Sequence, residues 1–192
     1  MSENDGVLQF PGRPGGVPPE LVSATEALLF ASGEPISTQR LSNLLSVPVE
    51  EVRLALAVLQ DRFGPGRGIR LERVAKGWQL RTARDFASLV LAMLGSKPRK
   101  LTRPQLEVLA AVAYRQPITR GQVDEVRGVD SGPLLRKLLD RGLIAVAGRS
   151  QDPGRPLLYK TTREFLQLFD LPNLSSLPTL DERLDRDVPV EE

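Results

Sequence analysis

Glu34-Pro35-Ile36-Ser37 and Gln116-Pro117-Ile118-Thr119 are one short phrase written twice. Each follows an apolar helical run, and each ends on a hydroxyl residue suited to cap a following helix. A second pair recurs in the same order: Leu80-Arg81-Thr82-Ala83-Arg84-Asp85-Phe86 and Tyr159-Lys160-Thr161-Thr162-Arg163-Glu164-Phe165. The offset is nearly equal for the two pairs, which points to one small fold built twice. Two copies are too few for a solenoid, so a tandem domain pair is the expected architecture.

Working outward from the first phrase, Ser23-Ala24-Thr25-Glu26 has capping-box spacing ahead of the apolar run Ala27-Leu28-Leu29-Phe30-Ala31, and Gly33 ends that helix. Pro35-Ile36 reads as a short extended piece, and Ser37 caps a second helix carrying Leu41, Leu44 and Leu45. Pro48 opens a third, with Val52, Leu56, Leu59 and Phe63 at helical spacing. After Gly64-Pro65-Gly66, Ile69 to Val74 alternates apolar and charged residues, Ala75-Lys76-Gly77 turns, and Trp78 to Thr82 alternates back as a hairpin. Thr82-Ala83-Arg84-Asp85 then caps a helix whose inward face is Phe86, Leu89, Val90 and Met93.

The second phrase sits in the same surroundings. Thr102-Arg103-Pro104-Gln105 caps a helix with Leu106, Leu109, Val112 and Ala113 inward. Thr119 with Gln122 caps the next, which ends at Gly128. Asp130 or Ser131 caps a third, carrying Leu134, Leu135, Leu138 and Leu139. Ile144-Ala145-Val146 and Leu157-Leu158-Tyr159 form a hairpin around a loop from Arg149 to Arg155, and Thr161-Thr162-Arg163-Glu164 caps a closing helix. The expected fold is α+β and mainly α: two tandem winged-helix domains, each of three helices plus a two-stranded wing. Residues 1–19 form a disordered leader, 20–94 the N-terminal domain, 95–101 a basic linker, 102–171 the C-terminal domain and 172–192 an acidic flexible tail. Domains of roughly 75 residues are near the lower end of independent stability, so packing against a partner would help each of them.

Composition narrows the chemistry. The 192 residues contain neither cysteine nor histidine, which removes disulfides, thiolate metal sites and the commonest general base. No apolar run approaches a membrane span, and Glu3 and Asp5 are a poor start for a secretory signal, so the expected location is cytoplasmic. Gly64-Pro65-Gly66-Arg67-Gly68 lacks the Lys-Ser/Thr of a phosphate loop. No catalytic, cofactor or metal residue is assigned, and the chain is expected not to be an enzyme.

Binding remains, to nucleic acid or to protein. Net charge is +2, with an acidic tail that leaves a basic body. Yet the recognition-helix candidate over 49–63 opens with Glu50 and Glu51, which suit the helix dipole and repel phosphate. Its counterpart over 130–142 has Arg136 and Lys137 only in mid-helix. Lys97, Arg99 and Lys100 in the linker, with Arg149 and Arg155 in the wing, are either phosphate contacts or solvated loop. Leu54 and Val58 widen the apolar stripe of 49–63 beyond one buried face; they are either core or a contact with a partner or a second copy.

The run Ala113-Tyr114-Arg115-Gln116-Pro117-Ile118-Thr119-Arg120, with Val126-Arg127-Gly128-Val129-Asp130-Ser131 and Arg141-Gly142-Leu143-Ile144, resembles segregation and condensation protein B. So do Gly148-Arg149, Pro153-Gly154-Arg155-Pro156-Leu157-Leu158-Tyr159, Phe165-Leu166 and, more loosely, Ala27 to Ile36 and Gly77-Trp78-Gln79-Leu80. The resemblance spans about 20–180, with Lys160 and Asp170 standing where the family favours glycine. It implies two winged-helix domains, an N-terminal one that dimerises and a C-terminal one that binds the kleisin ScpA and, through it, the SMC ATPase. It also implies a nucleoid-associated role in chromosome condensation and partition, with DNA held indirectly or weakly and no cofactor. Tyr114, Phe165 and Phe169 are then candidate partner contacts, or core. The alternative is a winged-helix transcription regulator.

Overall fold

The computed structural model describes residues 16–95 and 100–178, which divide into two compact units between Lys100 and Leu101. The leader up to residue 15, linker residues 96–99 and the tail from 179 lie outside the described residues.

The first unit runs α1 (Pro19–Ser32), α2 (Thr38–Leu45), α3 (Val49–Arg62), β1 (Ile69–Val74), β2 (Gly77–Thr82), a 3-10 turn (Arg84–Phe86) and α4 (Ala87–Leu94). Contrary to expectation, α1 does not start at Ser23. Pro19, with its φ already fixed, stands at the first helical position, and burial of Leu21 and Val22 draws the helix back to it. Thr25 therefore lies inside the helix, donating its hydroxyl to the Leu21 carbonyl at 2.7 Å. Gly33, at φ 62°, ends α1 in the left-handed region where glycine is least strained. The Ser37 hydroxyl accepts from the Arg40 N–H and caps α2 as expected, but of the three leucines there only Leu41 and Leu45 go inward.

Leu21, Leu29, Leu41, Val52, Leu56 and Leu59 make the core of this unit, and Trp78 and Leu80 of the hairpin pack against it. β1 and β2 pair antiparallel from Ile69 opposite Thr82 to Val74 opposite Gly77. The reversal is only two residues long. Ala75 and Lys76 both sit at positive φ, 48° and 61°, the geometry that matches the twist of paired strands. The Pro35-Ile36 phrase is extended, as expected: Ile36 bridges to Trp78, and the Trp78 indole N–H donates to the Thr38 hydroxyl at 3.2 Å.

The second unit repeats the plan as α5 (Arg103–Arg115), β3 (Ile118–Thr119), α6 (Arg120–Arg127), α7 (Gly132–Asp140), β4 (Ile144–Arg149), β5 (Leu157–Thr161), α8 (Arg163–Leu168) and a 3-10 turn (Leu174–Ser176). The expected two-stranded wing is here part of a three-stranded antiparallel sheet in the order β3-β5-β4, because Ile118 and Thr119 pair with Tyr159 and Leu158. Gln116 reinforces that junction: its side-chain oxygen accepts from the N–H and hydroxyl of Thr161 at 2.9 and 3.0 Å.

Caps at Thr119–Gln122 and at Thr162 form as read from sequence, whereas Leu106 of α5 turns outward and Gln105 inward. Residues 172–178, expected to belong to the tail, lie within the described residues. They carry the last 3-10 turn, and the Tyr114 hydroxyl donates to the Pro178 carbonyl at 2.7 Å. Both units are thus winged helices, α+β and mainly α.

Candidate protein-binding surfaces

Helical spacing gathers the apolar surface of the first unit. Leu54, Val58 and Arg62 recur every four residues along α3, so they share one face; Glu26 and Phe30 share a face of α1 in the same way. An ion pair between Arg62 and Glu26 ties those faces together. Phe30 is 77% exposed, Leu54 56% and Val58 41%, with the Arg53–Glu50 pair at 2.8 Å on the adjoining turn. Large exposed apolar side chains on two joined helix faces, with ion pairs beside them, have the make-up of a protein contact, apolar at the centre and polar at the rim. Phe30 was not legible as part of it, because Ala27 to Ala31 is apolar on all sides and specifies no stripe.

A second apolar surface overturns an expectation. Phe86, Leu89 and Met93, expected inward, are exposed, and Val90 is half-buried; no residue of α4 is buried. Among the described residues α4 makes its main contact with the 3-10 turn just before it. Among those same residues the stripe stays largely exposed, with the Phe86 ring beside Gly68 and Val90 half-buried.

In the second unit, Phe165 takes the core alternative at 3% exposure and is not itself a surface group. Its ring lies 5.0 Å from that of Phe169, which is half-exposed, as is Tyr114. The two surface rings belong to different elements, Tyr114 on α5 and Phe169 at the end of α8.

Electrostatics are concentrated at the turn between α6 and α7. Ser131 stands at the N-cap of α7 without a side-chain cap bond, and Asp130 just before it accepts from the N–H of Gly132, the first helical residue, at 2.8 Å, while Asp124 accepts from the Ser131 N–H at 2.6 Å. The Gly132 N–H and then the Arg120 guanidinium, 2.8 Å away, hold the Asp130 carboxyl below its ordinary value. Arg127, nearly buried, spans α5 and α7 by donating to Glu107 at 3.2 Å and to the Ser131 hydroxyl at 3.1 Å. Beside this turn lies a groove of about 850 Å³, whose walls include Arg120, Arg136, Lys137, Leu139, Leu157 and Tyr159.

Of the candidate phosphate contacts, Lys97 and Arg99 lie outside the described residues and Lys100 is exposed. Arg149 and Arg155 are exposed in the wing, where Arg149 donates to the Arg155 carbonyl at 3.1 Å and is held to its own loop. Among the described residues no group of acidic, histidine or cysteine side chains could hold a metal ion, and no helix is long and apolar enough to cross a membrane.

Comparison with known proteins gives a consistent result. The family described as segregation and condensation complex subunit ScpB matches residues 23–180. Segregation and condensation protein B of Syntrophotalea carbinolica is 44% identical over 164 residues, 85% of this chain and 83% of that one. The Bacillus subtilis protein of the same description is 39% identical over 169 residues, 87% of this chain and 86% of its own. Among solved structures, ScpB from Mycobacterium tuberculosis is 38% identical, covering 78% of this chain and 94% of that one, with a TM-score of 0.38. A dimer of an ScpB N-terminal domain complexed with ScpA peptide is 28% identical, covering 38% of this chain and 94% of that one, with a TM-score of 0.36. At such scores the overlays add nothing to the fold, which stands on the chain's own elements, or to the family, which stands on sequence.

Proposed function

The chain belongs to the ScpB family of segregation and condensation proteins, and from that membership we propose a non-catalytic adaptor that acts as a homodimer and binds the kleisin ScpA. Through ScpA it joins the heads of the SMC ATPase, in the cytoplasm and at the nucleoid, where ATP hydrolysis belongs to the partner. The N-terminal domain dimerises, and both domains contribute to holding ScpA.

One observation carries this reading: Phe30 on α1 and Leu54 and Val58 on α3 are exposed on helix faces that the Arg62–Glu26 ion pair joins. A winged helix that reads bases presents cations on its third helix. This one presents Glu50 and Glu51 in the first turn and leucine and valine beyond. In the second unit, Tyr114 and Phe169 are the proposed contacts, with Phe165 supporting Phe169 from below. A kleisin segment touching several such sites on a dimer gains by effective concentration. Arg149, Arg155 and the linker cations add weak phosphate contacts without base readout.

The test is a pull-down of the tagged full chain from nuclease-treated lysate, with mass spectrometry of what co-purifies. Recovery of ScpA with an SMC ATPase after DNA is destroyed is the expected result. Recovery of neither, with particular DNA fragments enriched when nuclease is omitted, overturns the adaptor and restores the transcription regulator.

A further inference from the structure

We infer that residues 179–192 of this chain dock into the groove beside α7, so that the second unit carries its own acidic ligand. The groove has apolar walls in Leu135, Leu139, Leu157 and Tyr159, and the exposed Arg136 and Lys137 line it as well. Arg120, the third cation there, is already engaged by Asp124 and Asp130. Arg136 and Lys137 are not: among the described residues neither forms a hydrogen bond or an ion pair. Adjacent cations beside an apolar groove favour a segment that brings carboxylates to the charges and apolar side chains to the leucines.

Sequence supplies that occupant. Residues 179–192 carry six acids against Arg183 and Arg186, and Leu180, Leu184 and Val188 recur among them every four residues. The other segments outside the described residues do not match: 1–15 have Glu3 and Asp5 against Arg13, and 96–99 are basic. Anchoring brings the acidic segment to the right place. The Tyr114 hydroxyl holds the Pro178 carbonyl at 2.7 Å, so the segment sets out from the last turn of α5. Tyr114 stands four residues before Ile118, a step of at most about 14 Å, and Ile118 pairs directly with Tyr159 of the groove wall. Residues 179–192 reach about 46 Å when extended, which leaves chain to spare. A tethered segment also meets its site at an effective concentration of about millimolar, so contacts too weak to hold a free peptide suffice. Once docked, it covers the cations of α7, the third helix of this unit and the element with which a winged helix meets DNA, and keeps phosphate from them. The contact lies wholly within the second unit and holds whether or not the chain dimerises or binds ScpA.

The experiment is paramagnetic relaxation in the isotope-labelled full chain, with a nitroxide on Val190→Cys, the single thiol in a cysteine-free sequence. Val190 lies beyond the stretch from Leu180 to Val188, so the label replaces none of the spaced apolar residues. The amides of Arg136, Lys137 and Leu157 should lose most of their intensity and regain it in about 1 M salt, where charges are screened beyond about 3 Å. Arg136→Glu with Lys137→Glu should release the segment in the same way. Should that variant fail to fold, Asp181→Asn with Glu182→Gln, Asp185→Asn and Asp187→Asn, on the unaltered groove, must restore the signals instead. Broadening confined to the neighbourhood of Pro178, or unchanged by either set of substitutions, overturns the inference. So does broadening of the groove amides when nitroxide and isotope sit on different chains, because the segment then serves a second copy.

Discussion

Ile36 and Trp78 exchange both main-chain hydrogen bonds, 2.9 Å from the Ile36 N–H to the Trp78 carbonyl and 2.8 Å in return, and so fasten the start of the helix-turn-helix to the wing. In the second unit Ile118 faces Tyr159 at the corresponding place. The closeness of the first pairing constrains its neighbour. A Cβ on Gly77 would stand 2.9 Å from the Ile36 carbonyl carbon and 3.0 Å from its nitrogen and oxygen, all of them backbone. Gly77→Ala should therefore destabilise the first unit by about 1–3 kcal/mol, the usual cost of forcing atoms into a packed site. Thermal unfolding followed by circular dichroism measures it; an unchanged transition would show that the bridge is slack.

For Leu54 and Val58 the expected loss is in affinity, not in stability, because both side chains are already exposed. Leu54→Ala with Val58→Ala should weaken ScpA binding by about tenfold to a hundredfold, the range for truncating residues at the centre of an interface. Calorimetric titration with ScpA reads this directly, and unchanged affinity would move the kleisin contact elsewhere on the molecule.

Asp130 predicts a signature in acid. Its carboxyl is held below its ordinary value near 3.8, first by the Gly132 N–H and then by Arg120, so the ionised form is favoured in the folded chain. That contribution is complete above about pH 5 and fades as pH falls through the lowered folded value. Asp130→Asn should flatten the fall of melting temperature on acidification below pH 4. Parallel curves for variant and wild type would mean that the carboxylate contributes nothing to stability.

DNA retention should be weak and salt-driven. With Lys97, Arg99, Lys100, Arg149 and Arg155 as the phosphate contacts, binding to a random-sequence duplex should show a log–log salt slope of about −4.5, at roughly −0.9 per contact. Arg149→Glu with Arg155→Glu should reduce that slope by about 2 and leave ScpA binding intact. A steep slope with one preferred sequence would bring the regulator back.

How much of this was legible depended on how local the cause is. Ser37, Thr119 with Gln122, and Thr162 cap the helices they precede, because a cap needs only its own three or four residues. The strand from Ile69 to Val74 announced itself by alternation. β3 did not, since two residues carry no period and only Tyr159 and Leu158, far along the chain, make them a strand. Ser23 misled for the opposite reason: its capping spacing is genuine, but Pro19 and the buried Leu21 and Val22 extend the helix past it. Phe86, Leu89, Val90 and Met93 do form a stripe, but a sequence states that a face is apolar and not which molecule covers it.

The hairpin at Ala75 and Lys76 shows where this chain holds stability in reserve. Both residues occupy left-handed backbone, which costs an L-residue roughly 1–2 kcal/mol and which asparagine and glycine tolerate far better. The register of β1 and β2 and the burial of Ala75 impose that geometry against local preference. Ala75→Asn with Lys76→Gly should raise the melting temperature of the first unit, unless the amide placed at the buried position of Ala75 outweighs the relief, which Lys76→Gly alone would reveal. Natural chains need only clear a stability threshold. A turn left in its less comfortable form is slack that selection had no reason to remove, and a margin open to any later substitution that demands it.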